Sequence, residues 1–475
     1  MNLDARLLGP ISRTLLLVLA AWLACTSSSY AQALPTSSCQ WIDLELNENI
    51  NIVYPDEDAN YAIAIAPAPT IPPGGYIEIK ANYPHARYLA WSAYDPRLKT
   101  IDGLADVDID PDPGSTNPFR IGANRTASER SYTLKVVNDR APTGKRPPNT
   151  LYAQSEEGLP ATFFGIRLYV PDAGLDRFGG SGSPTLTVVT ADGTRLATPV
   201  CPSVELPKLG ITEALGFLAT GGGGLLPSAE LSGYNPPRWF LHKNIVKTYL
   251  LSIGSDATSN VPTQQLAAAF PSALGFGENP DTKYLFSIAS RGHGEVLVIR
   301  GRMPTFPHTY NGEEIMQGGQ LRYWSICSGL ETTQYIACVS DEHIPLDANG
   351  DYNIMVSSPA DRPRNAREAC GFAWLPMGPR SFMYIRNILP SPDFTNSTSD
   401  IKDIGDEQRA LGPYYPSGTY YATSADAEKL GCNPPQAAVS GSKGDKSGGG
   451  SIDWLALAGL MLLLFAKRQR ALKKS

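Results

Sequence analysis

Four aspartates alternate along one short stretch of the chain and offer the oxygen ligands that calcium prefers. They are Asp106, Asp108, Asp110 and Asp112. An EF-hand loop would need glycine at the position of Pro111 and glutamate at the position of Asn117, so the stretch is not an EF-hand. It predicts either a calcium site in a loop of another kind or a solvated turn. Calcium is the only cofactor that we consider from the sequence.

Two arginines lie beside tyrosines inside apolar segments, Arg87 before Tyr88 and Arg322 before Tyr323. An arginine buried in such a segment must be paired, because an isolated charge in the protein interior is strongly unfavourable. We expect each guanidinium to pair with a carboxylate of a neighbouring strand. The alternative is that the two arginines bind an anionic ligand.

Tyrosines cluster near the end of the second half of the chain, where Tyr414 and Tyr415 are soon followed by Tyr420 and Tyr421. Tyrosine combines an apolar ring with a polar tip and is enriched at binding interfaces. The cluster therefore offers a candidate aromatic platform for a sugar or a peptide.

The common catalytic signatures are missing from the sequence. It contains no Gly-x-Ser-x-Gly elbow, no P-loop, no dinucleotide-binding glycine pattern and no His-Glu-x-x-His motif. Glycosidases stay open, since their two carboxylates have no fixed spacing along the chain. We predict a non-catalytic protein that binds a glycan or another surface protein, or that is purely structural. The alternative is a secreted polysaccharide hydrolase with carboxylates in a groove between domains.

Short segments with alternating apolar residues run through residues 39–207, for example at 87–94. This pattern is typical of antiparallel strands in a β-sandwich or barrel. Residues 208–275 contain four consecutive glycines and two stretches, 244–253 and 264–274, that could form short helices, and we expect a linker there. The mild net charge of −6 gives no reason to expect nucleic acid as a partner.

Residues 276–433 repeat the first half weakly but in the same order. Pro55-Asp56 is echoed by Pro280-Asp281, and Arg87-Tyr88 by Arg322-Tyr323 after an insertion at 310–320. Further echoes join 77–81 with 296–301, 131–137 with 351–356, and 165–171 with 382–390. The sequence therefore predicts two related β-sandwich domains in tandem, in a mainly β protein.

The two ends of the chain indicate export. Residues 1–33 have a positive start, an apolar run at 15–24 and a cleavage site at Ala31-Gln32-Ala33, which predicts a signal peptide. A lipoprotein would instead use Cys25, but the three residues before it match a lipobox poorly. We expect cleavage after Ala33.

Removal of the signal peptide with Cys25 leaves six cysteines. They are Cys39, Cys201, Cys327, Cys338, Cys370 and Cys432. An even number in an exported protein favours disulfides, and no Cys-x-x-Cys spacing suggests zinc. From their positions we predict the pairs Cys39–Cys201, Cys327–Cys338 and Cys370–Cys432.

The C-terminal end divides into three parts. Residues 434–450 are rich in Gly, Ser, Pro and Lys and predict a disordered stalk. Residues 452–466 predict a short transmembrane helix, and the basic residues 467–475 favour a cytoplasmic tail. The helix is either a lasting anchor in the inner membrane or part of a processing signal.

This end resembles the GlyGly-CTERM sorting tail of Gram-negative bacteria, with Gly448-Gly449-Gly450, a short membrane helix and a basic cluster in order. The resemblance covers residues 448–475. It implies cleavage near these glycines by a rhomboid-type protease, a rhombosortase, and delivery to the cell surface or the medium, often by the type II secretion machinery.

The second half also resembles a bacterial domain of unknown function found at the C-terminus of exported two-domain proteins. The matching residues are 321–325, 346–354 and 372–379, within about residues 282–395. The resemblance implies a jelly-roll-like β-sandwich and no established activity. That family lacks cysteines in this arrangement.

Intact-mass measurement of the exported protein tests the sorting prediction. We expect a chain that ends near Gly448–Gly450, because the membrane helix would be removed with the tail. A mature form that retains residues 454–466 would show that the helix is a lasting anchor.

Overall fold

The computed structural model describes residues 42–44, 51, 54–64, 71–95, 99–161, 163–197, 234–242, 277–330, 334–432 and 434. They belong to one compact unit that extends to Pro435. The predictions for the signal peptide with Ala33, for Cys39 and Cys201, for the linker helices, and for the C-terminal stalk, helix and tail lie outside these residues. Within them, no helix has the length and hydrophobicity needed to cross a membrane.

The first half of the chain forms two β-sheets that pack face to face. The strands are β1 (Ile42–Leu44), β2 (Ala59–Ala64), β3 (Tyr76–Asn82), β4 (Ala86–Tyr94), β5 (Thr100–Ala105), β6 (Ser131–Arg140), β7 (Thr150–Gln154), β8 (Phe163–Pro171), β9 (Thr185–Val189) and β10 (Arg195–Ala197). Their orders are β1-β2-β8-β4-β5 and β10-β9-β3-β6-β7. Because side chains alternate along a strand, β4 places Leu89, Trp91 and Ala93 in the core of this sandwich and turns Tyr88 outward.

The second half forms another pair of sheets. The strands are β11 (Phe240–Leu241), β12 (Thr282–Ser290), β13 (Val296–Arg302), β14 (Tyr323–Gly329), β15 (Tyr335–Ser340), β16 (Asp351–Ser357), β17 (Ala373–Pro376), β18 (Arg380–Ile388) and β19 (Ser417–Tyr421). Their orders are β11-β12-β18-β14-β15 and β17-β16-β13-β19. The described residues form two α-helices, α1 (Glu407–Leu411) and α2 (Ser424–Glu428). Short 3₁₀ helices span Asp106–Asp108, Arg291–His293, Pro359–Asp361, Glu368–Cys370, Thr398–Asp400 and Gly412–Tyr414.

The two sandwiches have the same topology. Each strand from β1 to β9 corresponds to the strand numbered ten higher, and the hydrogen-bonded neighbours are the same in both halves. Even the parallel pairing of β6 with β7 is matched by the parallel pairing of β16 with β17. The predicted mainly β fold with two related sandwiches is therefore confirmed.

One sequence echo is out of register. Ala59 of β2 pairs with a residue of β8 that also pairs with Tyr88 of β4. Thr282 of β12 pairs with a residue of β18 that also pairs with Tyr323 of β14. Because Tyr88 and Tyr323 are equivalent, Ala59 and Thr282 are equivalent too. Counting back three residues places Asp56 at the position of Asn279, whereas the sequence comparison had aligned it with Asp281. This shift matters for the charges between the sandwiches.

Part of the predicted linker at 208–275 belongs to the second sandwich. Residues 234–242 belong to the second sandwich, because β11 pairs with β12 and Trp239 is buried in its core. The backbone N–H of Trp239 donates to the hydroxyl of Tyr415 at 3.0 Å. The apolar residues of this segment explain the correction, since they need a sheet to cover them.

Two of the three predicted disulfides are present. Cys327 and Cys338 join neighbouring strands β14 and β15, and Cys370 is bonded to Cys432 across a separation of 62 residues. The third predicted pair lies outside the described residues.

Both sandwiches hold a non-glycine residue in the left-handed region at the end of an equivalent strand. Val170 has φ of 50° and Leu389 has φ of 48°, and each precedes a proline. Their backbone N–H groups donate to the carbonyls of Asp58 and Asp281, at 3.1 and 2.8 Å. Such a conformation costs about 1–3 kcal/mol and persists only where the surroundings fix it.

The insertion at 310–320 docks on the first sandwich. Met316 is fully buried in the core of the first sandwich although it belongs to the second half of the chain. Its backbone exchanges hydrogen bonds with Gly122 and Ala123, and Arg125 donates to the carbonyls of Glu313 and Glu314. The insertion therefore fastens the two sandwiches together.

Replacement of Met316 by alanine should lower the free energy of unfolding by about 2–5 kcal/mol, because it leaves a cavity in the first core. Denaturant unfolding followed by circular dichroism measures the loss. Ile315→Ala is the control, since Ile315 is 49% exposed and should change stability by less than about 0.5 kcal/mol. Equal losses in both variants would contradict the role of Met316.

Candidate functional site: the interdomain seam

The repeated charged residues meet where the outer faces of sheets β1-β2-β8-β4-β5 and β11-β12-β18-β14-β15 contact each other, here called the seam. Its apolar part includes Tyr88, Tyr169 and Tyr323, which are buried, with ring centroids of Tyr169 and Tyr323 5.0 Å apart. Side-chain alternation explains the arrangement, because β4 and β14 send every second residue to this face.

Arg322 crosses the seam to Asp106. Its Nη1 lies 3.0 and 3.1 Å from the two carboxylate oxygens, and its Nη2 donates to the carbonyl of Phe119 at 3.0 Å. Asp106 is fully buried and also accepts from the backbone N–H of Leu89 at 2.9 Å. The buried carboxylate of Asp106 therefore accepts from two donors, Arg322 Nη1 and the Leu89 N–H, in place of water.

Arg87 makes the reciprocal crossing. Its guanidinium forms ion pairs with Asp341 and Glu342, which follow β15, and its Nε donates to the hydroxyl of Thr309 at 3.3 Å. Asp341 also accepts from the backbone N–H of Trp324 at 2.8 Å. Each sandwich therefore supplies an arginine at the start of its fourth strand and a carboxylate just after its fifth.

The tyrosines next to these arginines also reach across the seam. The Tyr323 hydroxyl donates to Asp56 Oδ1 at 2.9 Å. The Tyr88 hydroxyl donates to Asp281 Oδ2 at 2.6 Å and accepts from the side-chain amide of Asn279, the equivalent of Asp56, at 2.8 Å. Asp56 also accepts from the Ser325 hydroxyl at 2.6 Å. Interactions of residue i with j and of j with i are typical of twofold-symmetric interfaces, and here they occur within one chain.

The symmetry fails at one pair of equivalent arginines. Arg386 on β18 donates from Nη1 to Asp56 Oδ2 at 2.9 Å and from Nη2 to the carbonyl of Tyr54. Arg167 on β8 makes the equivalent bond to the carbonyl of Gly277, but its buried Nη1 has no hydrogen-bond partner. The reason is that Asn279 stands where the first sandwich has Asp56. The ring centroids of Tyr61 and Tyr94 lie 6.0 and 5.6 Å from Cζ of Arg167.

Burial opposes ionisation of the seam carboxylates. It raises the pKa of Asp106 to about 7, although Arg322 and the Leu89 N–H act in the other direction. Burial likewise raises the pKa of Asp341 to about 6 against the effect of Arg87. The ion pairs therefore contribute little net stability relative to apolar residues, but each partner strictly requires the other.

The calcium prediction is wrong for Asp106, which is committed to Arg322. Asp110 pairs with Arg120 at 2.7 Å, and Asp108 is exposed. Within the described residues, Asp106, Asp108, Asp110 and Asp112 do not bring three carboxylates close enough to hold one ion. The only cluster of metal-ligand types found there is Asp56 with Cys327 and Cys338, whose sulfurs are bonded to each other.

Two tyrosines of the expected aromatic platform pack within the second sandwich. Tyr414 is half-buried, contacts the ring of Phe394 edge-on at 5.0 Å, and accepts from the Gln320 amide at 2.8 Å. Tyr415 is half-buried and bonded to the backbone of Trp239. Both tyrosines pack on the second core because they cover the edge of its sheets.

The predicted ion pairs of Arg87 and Arg322 are confirmed, but their partners lie in the other sandwich and not on a neighbouring strand. Sequence reasoning missed Asp341 as the partner of Arg87, and it missed the further ion pair between Arg386 and Asp56. The echoes contained one signal, since matched arginines in two repeats indicate a shared interface. A pocket in the core of the second sandwich, lined by Trp324, Tyr414 and others, has a volume of about 10 Å³, room for about one water molecule.

Comparisons with known proteins give no family. No family model and no curated protein matches the chain. An uncharacterised protein from Burkholderia cenocepacia is similar in structure, with a TM-score of 0.44 and 11% identity over 82% of this chain and 83% of that chain. A protein from Vibrio parahaemolyticus has a TM-score of 0.37 and 11% identity over 78% and 90%. At these scores the similarities establish neither a fold family nor a function.

Arg322→Met should lower the free energy of unfolding by about 3–5 kcal/mol, because it leaves Asp106 buried without its cation. Chemical denaturation measures the loss. The control is Arg364→Met, which removes an ion pair to Glu428 whose arginine side chain is 90% exposed, and it should cost less than about 1 kcal/mol. Similar losses in the two variants would contradict the role of the seam pair.

Asn279→Asp should stabilise the protein by about 1 kcal/mol, since it supplies the carboxylate that Arg167 Nη1 lacks. The reverse change at the equivalent position, Asp56→Asn, should destabilise it by about 3 kcal/mol by leaving Arg386 unpaired. Thermal unfolding of both variants measures the difference. A destabilised Asn279→Asp variant would show that the tyrosine rings alone suffice for Arg167.

Proposed function

We propose that this chain is an exported, non-catalytic cell-surface protein of a Gram-negative bacterium, whose two docked β-sandwiches form a rigid module that binds a glycan or another surface protein. One observation carries the non-catalytic part. The charged residues that recur in both halves were the best candidates for catalysis, and they bind to each other across the seam. Their carboxylates, those of Asp56, Asp106, Asp281 and Asp341, each have a donor from the other sandwich. No observation in the described residues favours the polysaccharide hydrolase.

The export part rests on the sequence and is supported by the disulfides. Two cysteine pairs are bonded within the second sandwich, and such bonds persist in oxidising compartments. In this proposal the jelly-roll-like sandwiches stand on the stalk at 434–450. The helix at 452–466 holds the chain in the inner membrane until a rhomboid-type protease cuts near Gly448, and type II secretion delivers it.

Localisation of an epitope-labelled chain in a Gram-negative host that carries a rhombosortase tests the proposal. We expect the wild type at the cell surface or in the medium without free thiols. Changing Gly448, Gly449 and Gly450 to alanine should retain the protein in the inner membrane, whereas alanine at Gly441 and Gly444 of the stalk should have no effect. A cytoplasmic protein with reactive cysteines would overturn the proposal.

Binding is tested separately on a glycan array with the purified mature protein. Retention of a defined glycan class without release of reducing sugar supports a binding module. Release of reducing sugar from a polysaccharide would instead show that the protein is a hydrolase.

A further inference from the structure

The two disulfides of the second sandwich occupy different surroundings. Cys370–Cys432 lies against the sheet that faces away from the seam, beside Ala427. Cys327–Cys338 lies at the seam, where Cys327 is fully buried beside Tyr54 of the first half. Arg386 Nη1 lies 3.2 Å from Cys327 Sγ, and the same Nη1 donates to Asp56. This disulfide is therefore in contact with residues that hold the sandwiches together.

Strand β15, which carries Cys338, is an edge strand with two sets of partners. On one side it pairs with β14. On the other side it contacts the first half of the chain through side chains. The Asn51 amide makes two 2.8 Å hydrogen bonds to the backbone of Tyr335, and Glu57 accepts from the N–H of Cys338 at 3.0 Å.

The residues that pair with Arg87 follow this strand directly. Asp341 and Glu342 come three and four residues after Cys338, so their position depends on the register of β15. The ladder between β14 and β15 is short and has an irregularity at Ser328 and Gly329. A shift of one residue would move the two carboxylates by about 3.3 Å and reverse the faces of the strand. Cys327 and Cys338 are directly opposite each other in this ladder, so their bond fixes the register.

We propose that formation of the Cys327–Cys338 bond locks the docking of the two sandwiches, so that the seam is completed only in an oxidising compartment. The proposal rests on the export proposed above, since cytoplasmic thiols stay reduced. Two thiols form one S–S bond. The two protons and two electrons pass to an external disulfide, which is reduced to a dithiol. Before oxidation β15 is free to slip, and after it Asp341 and Glu342 are held opposite Arg87.

Hydrogen–deuterium exchange of the purified mature protein tests the lock. In the variant Cys327→Ala/Cys338→Ala, exchange protection of β15 and of residues 86–90 should fall by about 10- to 100-fold, the range expected for loss of a short disulfide loop. Protection of β13 and β16, on the far sheet, should be unchanged. The matched control is Cys370→Ala/Cys432→Ala, which should leave protection at the seam unchanged.

A seam variant with wild-type protection in β15 and residues 86–90 would overturn the lock. If that variant also loses protection in β3 and β6, folding itself has failed. The exchange is then measured on the Cys370→Ala/Cys432→Ala protein after reduction of Cys327–Cys338 with dithiothreitol. There a loss confined to the seam supports the lock, and unchanged seam protection overturns it. Because the experiment uses purified protein, a result that overturns the lock would leave the export proposal intact. The localisation experiment tests that proposal separately.

Discussion

The arginine of each sandwich neutralises a carboxylate that the other sandwich has taken out of water. Asp106 and Asp341 are fully buried, and among the described residues each has its arginine partner in the other half. Docking buries Arg87 and Arg322 together with their carboxylate partners, and each ion needs its partner because an unpaired buried charge is strongly unfavourable. The two sandwiches therefore form one compact unit, although each has its own core.

This exchange also explains where the chain departs from its internal symmetry. The arginines and tyrosines of β4 and β14 keep their types, because each has a fixed partner across the seam. Asn279 in place of Asp56 removes one carboxylate, and the buried Arg167 Nη1 loses its acceptor as a result. The insertion at 310–320 occurs only in the second half of the sequence, and its Met316 packs into the core of the first sandwich.

Much of the fold could be predicted from local patterns. The alternation at 87–94 predicted a strand, and β4 is that strand, with Trp91 on the core side and Tyr88 on the opposite face. Two disulfides followed from the positions of cysteines along the chain. The boundary near Trp239 was missed because a two-residue edge strand has no period to detect.

The sequence by itself determined that two related β-sandwiches occur in tandem and that their matched arginines need partners, because strand periodicity and the cost of burying a charge are local properties. Only the tertiary structure decided who those partners are. Arg87 and Asp341 are 254 residues apart, and nothing in their local sequence encodes that the faces of β4 and β14 meet. The same contact removed Asp106 from the calcium prediction, because a carboxylate bound to a buried arginine is no longer available to a metal.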